Sequence, residues 1–295
     1  MFAFDFTEPR SLEEAVSTLA APGSRAVVLA GGTGLIVDVR RGKINPKRVV
    51  SLWGIPRLQG ARRQESGAVS IGALVTTSEL AEIFAENPQT LALSEAARVL
   101  GSRQIQNAAT IGGNICRASP CADFVPPLLC LGARVSLVGP RGPRERDIDG
   151  FVTGPRSTAR DDTEILTSVD LPPQRPGSAT AFLKIMRRRA TDLAVVSACA
   201  LVEWDESGDR IQRCRIALGS AAPFPFLSRR AEQILTGSRL SADALRSAAR
   251  AARDEASPIT DIRASAEYRS AMIEVLVSRA VSIAAARARG GVSTQ

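Results

Sequence analysis

The stretch ATIGGNICRASPCADFVPPLL at Ala109–Leu129 is the part of the chain that decides the fold. It opens with a hydroxyl residue and paired glycines, and it continues through Asn114, Ser119 and Asp123, whose side chains suit a nucleotide. A second glycine pair lies in AGGTG at Ala30–Gly34, directly after the apolar run RAVVL. Paired glycines let the backbone approach a ligand closely and turn successive N–H groups toward an anion. Two such segments in one domain predict a grip on the two phosphates of a dinucleotide.

Neither glycine segment matches the better known phosphate-binding motifs. Both lack the G-x-G-x-x-G pattern that opens a long helix, and neither is followed by Gly-Lys-Ser/Thr. Taken alone, each segment also fits a tight turn, which glycine pairs commonly form. From the residues alone this alternative stays open for each segment.

The composition excludes several kinds of chemistry. The 295 residues contain no histidine, which excludes the usual serine-hydrolase triad, a histidine-ligated zinc and a histidine general base. Five cysteines, an odd number, do not predict a disulfide framework in a chain of this size. The formal charge of +8 comes with only 4% aromatic residues, whereas nucleic-acid surfaces interleave cations with aromatics. We therefore predict no nucleic-acid partner and a solvated basic surface.

The chain shows no sign of a membrane or export segment. Its first ten residues, MFAFDFTEPR, contain acids where a signal peptide has a basic leader and a long apolar stretch. No apolar run reaches the roughly 18 to 20 residues that cross a bilayer. We expect no membrane span and a cytoplasmic protein.

The pattern of elements predicts an α+β protein of two domains. The clearest linker is PPQRPG at Pro172–Gly177. It divides the chain into a first domain over residues 1–175, a second over 176–289 and a flexible tail over 290–295. Because the pattern restarts after the first strands and helix, the first domain is predicted to contain two α/β subdomains, residues 1–55 and 56–175.

The second domain is predicted to be a three-stranded antiparallel sheet with a helical bundle, because three strand-like runs precede three helical ones. The predicted strands and helices are Ala181–Met186, Ala194–Trp204, Arg213–Leu218, Arg229–Leu235, Ala242–Ala256 and Ser265–Ala286.

Three segments together resemble the FAD-binding medium subunit of the molybdenum hydroxylases, the family of xanthine dehydrogenase and aerobic carbon monoxide dehydrogenase. They are AGGTG, the long stretch from Ala109, and FLKIMRRRATDLAVV at Phe182–Val196. The resemblance runs in order from about Phe4 to about Gly237. It implies a p-cresol-methylhydroxylase-type (PCMH-type) FAD-binding domain and a C-terminal domain that covers the flavin.

The resemblance also implies where the cofactor lies. Leu29 to Leu35 would wrap the FAD pyrophosphate, and a second phosphate cradle would be formed by Thr110, Gly112, Gly113 and Asn114. Asp123 would lie on the ADP side, and Leu166 and Lys184 by the flavin ring. The implied cofactor-binding residues are Leu29, Ala30, Gly31, Gly32, Thr33, Gly34, Leu35, Thr110, Gly112, Gly113, Asn114, Asp123, Leu166 and Lys184. No catalytic residue and no metal ligand is expected in this chain. Gly34 is a departure, since many relatives carry Asp, Ser or Glu there.

The residues by themselves leave other roles open. Lys184 lies in the apolar run FLKIM, where strand alternation favours a lysine that faces solvent. The resemblance favours contact with the flavin, where a cation near N1 and the C2 carbonyl would stabilise the reduced, anionic ring. Asp123 also fits a helix cap and Asn114 a turn. Cys116 and Cys121 bracket CRASPC without forming a C-x-x-C pair, so the cysteines are interpreted as small buried hydrophobes.

The function implied by the resemblance is that of an oxidoreductase subunit. Two partner chains are implied, a small one with 2Fe-2S clusters and a large one with the molybdopterin cofactor, assembled as a dimer of heterotrimers. Electrons would pass from the clusters through FAD to an acceptor such as NAD, dioxygen or a quinone.

Two alternative functions stay open. A self-sufficient PCMH-type flavin oxidoreductase would need its own substrate pocket and catalytic base, which the single tyrosine and missing histidine disfavour. A non-catalytic regulator without FAD is disfavoured by the two intact glycine segments.

Overall fold

A computed structural model describes residues 3–188 and 191–290. The α+β class predicted from the sequence is confirmed, with parallel and antiparallel sheets in separate units. Of the tail predicted over residues 290–295, only Gly290 lies within the described residues. None of the described helices combines the length and apolar character that a bilayer crossing requires.

The N-terminal unit is a three-stranded parallel sheet with two helices. Its elements are β1 (Asp5–Thr7), α1 (Leu12–Ala20), β2 (Ala26–Leu29), α2 (Leu35–Arg40) and β3 (Arg48–Ser51), with strand order β1-β3-β2. Ser11 starts α1, because its side chain accepts a hydrogen bond from Glu14 N at 3.1 Å. The apolar face of α1 buries Leu12 and Leu19 in a small core with Val50. Strand β1 was missed from the sequence because three residues are too few to show an alternation.

The second unit surrounds a five-stranded antiparallel sheet and follows a 3-10 turn at Pro56–Leu58. Its strands are β4 (Ala61–Arg63), β5 (Val69–Gly72), β6 (Arg134–Gly139), β7 (Gly142–Asp147), the small pair β8 (Val152–Gly154) and β9 (Ser157–Thr158), and β10 (Ile165–Leu171). The sheet has the order β4-β5-β10-β6-β7. Its helices are α3 (Thr77–Ile83), α4 (Leu91–Arg98), α5 (Arg103–Ala108), α6 (Ile111–Cys116) and α7 (Val125–Leu131).

The C-terminal unit is an antiparallel sheet that carries three helices. Its elements are β11 (Ser178–Ile185), β12 (Val196–Trp204), β13 (Ile211–Gly219), β14 (Phe226–Leu227), α8 (Arg229–Leu235), α9 (Ala242–Glu255) and α10 (Ala266–Ala288). The sheet has four strands and not the three predicted, because the two-residue β14 pairs with β13. The sequence did not reveal β14, since Pro223 and Pro225 beside it read as a loop.

The C-terminal unit is joined to the second unit through polar contacts. Ser220 N donates to Pro120 O at 2.8 Å, so the end of β13 is held against the connection between α6 and α7. Glu95 in α4 accepts hydrogen bonds from Phe182 N at 2.7 Å and from Arg287 at 2.6 Å. These bonds hold β11 and α10 of the C-terminal unit against α4 of the second unit.

Candidate cofactor site

The first glycine segment, Ala30–Gly34, connects the end of β2 to the start of α2. Gly32 has φ +70°, a backbone conformation that residues with side chains rarely adopt. Ile36 N and Asp38 N bond back to carbonyls of this segment, at 3.0 and 3.2 Å. Within the described part of the chain, no hydrogen bond uses the N–H groups of residues 31–35. These five N–H groups are therefore free donors, and they lie in a row along a half-buried segment.

This segment is held in place on two sides. A Cβ built on Gly31 would lie 1.7 Å from Ala108 O and 2.6 Å from Ala108 C, so only glycine fits against the end of α5. On the other side the indole of Trp53, which is 39% exposed, donates to Ala30 O at 3.0 Å. The contact of Gly31 with Ala108 and the hydrogen bond from Trp53 therefore fix the position of the free donors.

The second glycine segment is the first turn of helix α6, and not the tight turn that glycine pairs commonly form. Thr110 caps this helix, with Oγ1 accepting from Gly113 N at 3.1 Å and its carbonyl accepting from Asn114 N at 2.9 Å. Gly112 N donates to Ala73 O at 3.0 Å, and a Cβ on Gly112 would lie 2.8 Å from that oxygen. The N–H groups that a backbone phosphate cradle would need are therefore already bonded within the protein.

The structure brings the two glycine segments together. A Cβ built on Gly113 would lie 3.9 Å from the Cβ of Ala30. Asn114, next along α6, accepts a hydrogen bond from Phe124 N at 3.4 Å through Oδ1. This contact continues the site from the glycine segments to Asp123 at the start of α7.

Asp123 and Lys184 form a buried ion pair across the two domains. Lys184 Nζ lies 2.9 Å from Asp123 Oδ2 and donates to Val99 O at 3.1 Å. The side chains of Lys184 and Asp123 are 1% and 6% exposed. Lys184 therefore does not face solvent, and Asp123 does not cap α7, whose N-cap is Phe124. The resemblance implies the ADP side for Asp123 and the flavin ring for Lys184, and both roles stay predictions; in the structure the two side chains are in direct contact.

The carboxyl of Asp123 has an unusual environment. Burial raises its pKa to about 6, although the charge of Lys184 and its hydrogen bond act in the opposite direction. Its second oxygen, Oδ1, is buried and has no hydrogen-bond partner among the described residues. Buried polar atoms without a partner are rare in folded proteins. Asp123 can therefore accept a hydrogen bond from a bound group.

The raised pKa of Asp123 predicts a dependence of stability on pH. In an unfolded chain aspartate ionises near pH 4, so between about pH 4 and pH 6 only the folded protein keeps this proton. The stability that the protonated carboxyl contributes is complete below about pH 4 and is lost as the pH rises through about 6. Relative to Asp123→Asn, the free energy of unfolding of the wild type should fall by about 2 kcal/mol between pH 4 and pH 7.

Urea unfolding of both proteins, free of cofactor, at a series of pH values checks this prediction. The subtraction removes the contributions of other carboxyls, such as Asp261, whose pKa is lowered by bonds from Arg263 and Arg269 despite its desolvation. A difference that is flat, or that rises with pH, would contradict it.

Leu166 is buried in the large apolar core, with 4% exposure. It lies on β10 opposite Leu137, next to an irregularity in the register of the sheet. At the first segment, Leu29 and Leu35 are half-buried at either end of the glycines. The structure therefore gives Leu166 a packing role, and its expected contact with the flavin stays a prediction.

The cysteines differ in burial. Three thiols are fully buried: Cys130, Cys199 and Cys214. Burial raises the pKa of Cys214 well above its ordinary value, which keeps the thiol protonated. Cys121 is half-buried and its Sγ accepts from Arg263 at 3.3 Å. Among the described residues no cluster of three potential ligands could hold a metal ion.

A charged cluster beside the first glycine segment was missed from the sequence. Asp38 in α2 is 2% exposed, and its carboxylate accepts hydrogen bonds from Arg117 and Arg156. These bonds, chiefly that of Arg117, hold the pKa of Asp38 below its ordinary value despite burial. Arg117 lies within the stretch Ala109–Leu129, but Asp38 is far away in the sequence. No local sequence pattern therefore indicates that the two side chains meet.

Two protein families match this chain, each over a different part of it. Residues 2–174 match the family described as "FAD binding domain in molybdopterin dehydrogenase". Residues 181–284 match the family described as "CO dehydrogenase flavoprotein C-terminal domain".

Individual relatives match over nearly the full chain. The putative xanthine dehydrogenase FAD-binding subunit of Escherichia coli (strain K12) is 31% identical, covering 97% of this chain and 99% of the relative. The carbon monoxide dehydrogenase medium chain of Hydrogenophaga pseudoflava is 32% identical, covering 96% and 98%. A solved structure of carbon monoxide dehydrogenase from the latter organism, lacking the Mo-pyranopterin moiety, superposes with a TM-score of 0.91 over 96% of this chain and 98% of its own, at 31% identity. The chain therefore belongs to the family of FAD-binding medium subunits of the xanthine dehydrogenase and carbon monoxide dehydrogenase type.

Proposed function

We propose that this chain is the FAD subunit of a heterotrimeric molybdenum hydroxylase. In this proposal the chain holds FAD, which would link the 2Fe-2S clusters of a small subunit to an external electron acceptor, NAD, dioxygen or a quinone. The substrate would be hydroxylated on a large subunit that carries the molybdopterin cofactor. Relatives named as medium chains support an assembly with one smaller and one larger partner.

The observation that carries the proposal is the row of five free N–H groups at residues 31–35. A run of backbone donors with no partner among the described residues suits the oxygens of a diphosphate. Gly32, with φ +70°, lets the chain turn so that successive donors converge. The close approach of Gly31 to Ala108 keeps the row at a fixed position.

The buried ion pair supports a flavin at the same site. When bound, FAD supplies the chemistry of taking up electrons singly and releasing them in pairs. Lys184 Nζ uses two of its three N–H groups on Asp123 and Val99. Its third N–H has no acceptor among the described residues, and Asp123 Oδ1 is buried without a donor, so the pair can offer one donor and one acceptor. This combination fits an amide-like edge such as that of the isoalloxazine.

The visible spectrum of the purified protein, with chromatography of the released cofactor, tests the proposal. We expect the paired absorption bands of oxidised flavin and the release of FAD. A colourless protein that also fails to take up added FAD would refute a cofactor role and favour an FAD-free regulator. Purification of the chain without partners but with turnover of a substrate would instead favour a self-sufficient flavin oxidoreductase.

The assembly and its acceptor need separate measurements. The molar mass of the native complex would distinguish a dimer of heterotrimers from a single heterotrimer. Mixing the reduced complex with NAD, dioxygen or a quinone, and following reoxidation of the flavin, would identify the acceptor. A cytoplasmic location is part of the proposal, supported by five cysteines that are all free thiols.

A further inference from the structure

We propose that Arg117 binds the diphosphate of FAD, and that Asp38 and Arg156 position it for this role. The inference deepens the proposed function and rests on it. It concerns a cationic contact at the first glycine segment, in addition to the backbone donors described above.

The position of Arg117 is the first argument. It is the C-cap residue of α6, and its side chain extends from there to the first glycine segment. A Cβ built on Gly34 would lie 3.3 Å from Arg117 Nε and 3.4 Å from Cδ. The absence of a side chain at Gly34 therefore leaves room for the guanidinium beside the row of free N–H groups.

The second argument is that one edge of this guanidinium has no partner. Its Nη1 bonds to Asp38, whereas Nε and Nη2 make no hydrogen bond to any described residue. The side chain is 35% exposed, and neither nitrogen is a buried atom without a partner, so both stay accessible to a bound group. The Nε and Nη2 donors of arginine form a planar fork that matches two phosphate oxygens.

The third argument is electrostatic. Both oxygens of Asp38 are directed at guanidinium groups, with Arg156 Nη2 at 3.3 Å from Oδ1 and Nη1 at 3.2 Å from Oδ2. Arg156 is itself fixed, since its N donates to Ala118 O at 2.8 Å. Two arginines and one aspartate leave the cluster with a net charge of +1. A diphosphate is therefore attracted, while the buried carboxylate holds Arg117 in one rotamer.

The bonding of the second glycine segment strengthens the case. The N–H groups of residues 111–114 are used inside α6 or by Ala73 and Val75, so they do not neutralise a diphosphate from that side. Arg117, one turn further along the same helix, supplies a charge in their place. We infer that this protein balances the cofactor's negative charge with a side chain from α6 and backbone donors from the β2–α2 connection.

Titration of the FAD-free full chain with FAD, followed by flavin fluorescence, tests the inference. Arg117→Gln should raise the dissociation constant about 10- to 50-fold, the effect of losing a partly exposed charge-assisted contact. Arg117→Lys, which keeps the charge and loses the fork, should recover part of the affinity. Arg246→Gln, which removes an exposed arginine of α9, is the matched control and should leave the affinity unchanged.

Salt dependence separates a charge contact from a structural role. The dissociation constant of the wild type should rise with ionic strength more steeply than that of Arg117→Gln. Equal FAD affinities of the wild type and Arg117→Gln would overturn the inference. So would Lys and Gln variants that are equally impaired with unchanged salt dependence, because they would mean that Arg117 only braces the fold. A wild-type chain that does not bind FAD would instead refute the proposed function itself.

Discussion

Gly31→Ala is expected to abolish measurable FAD binding and to lower the free energy of unfolding by roughly 3 kcal/mol. The added Cβ would lie 1.7 Å from Ala108 O, far inside contact distance. Its neighbour is backbone, which cannot rotate away as a flexible side chain can. Either the β2–α2 connection or the end of α5 must move, and either movement displaces the row of free N–H groups. FAD titration and urea unfolding of the variant measure the two effects.

The backbone that Gly31 contacts is itself firmly held. Ala109 N donates to Ile105 O at 2.7 Å, and Ala109 O accepts from Thr77 N at 2.8 Å. Gly154→Ala is the matched control, because Gly154 has no positive φ and its Cβ would meet only Ser157 at an ordinary 3.8 Å. That variant should bind FAD and unfold like the wild type. Retention of both properties by Gly31→Ala would show that the close approach is not required.

Lys184→Met is the second substitution with a large expected effect, a loss of about 3 kcal/mol in the free energy of unfolding. It leaves Asp123 buried without the cation that lowers its pKa. Removing one partner of a buried ion pair is costly because the remaining charge is neither solvated nor paired. The pKa of Asp123 would rise further in this variant. The loss in the free energy of unfolding should therefore grow as the pH rises above about 6, where Asp123 of the wild type ionises.

A double variant separates the charge from the packing. Lys184→Met with Asp123→Leu removes both charges and should recover most of the lost stability, because apolar groups can replace a buried pair. Lys47→Met, at an exposed lysine, is the control and should have little effect. Urea unfolding of the four proteins forms the comparison. A single Lys184→Met variant as stable as the wild type would contradict the prediction.

The sequence located the elements that local chemistry determines. The capping box of Thr76 and Glu79 starts α3, and the apolar run of β2 ends at the glycines of the first segment. Helix α8 begins and ends at the predicted residues, Arg229 and Leu235. Such features depend on hydrogen bonds and patterns within a few residues, which a single sequence contains.

Features that depend on distant contacts were not found in this way. The strand β7, GPRERD, is charged and lies in a sheet only because it pairs with β6. The second glycine segment became helical because Thr110 caps it and Val75 and Ala73 accept its first N–H groups. Asp38 and Arg117 meet across the two subdomains, and Asp123 meets Lys184 across the domain boundary. No local pattern specifies these pairs, because each is created by the packing of separate units.

The hydrogen bond between Trp53 and Ala30 gives the chain an optical reporter of its own. The only other tryptophan, Trp204, is enclosed in the C-terminal unit, with its indole N–H bonded to Ala285 O and Arg289 stacked 3.8 Å from the ring centroid. Trp53 is half-exposed and touches the segment that precedes α2. Indole emission overlaps flavin absorption, so we expect a flavin bound at this segment to quench Trp53, and a Trp204→Phe background would assign the signal to it without any label.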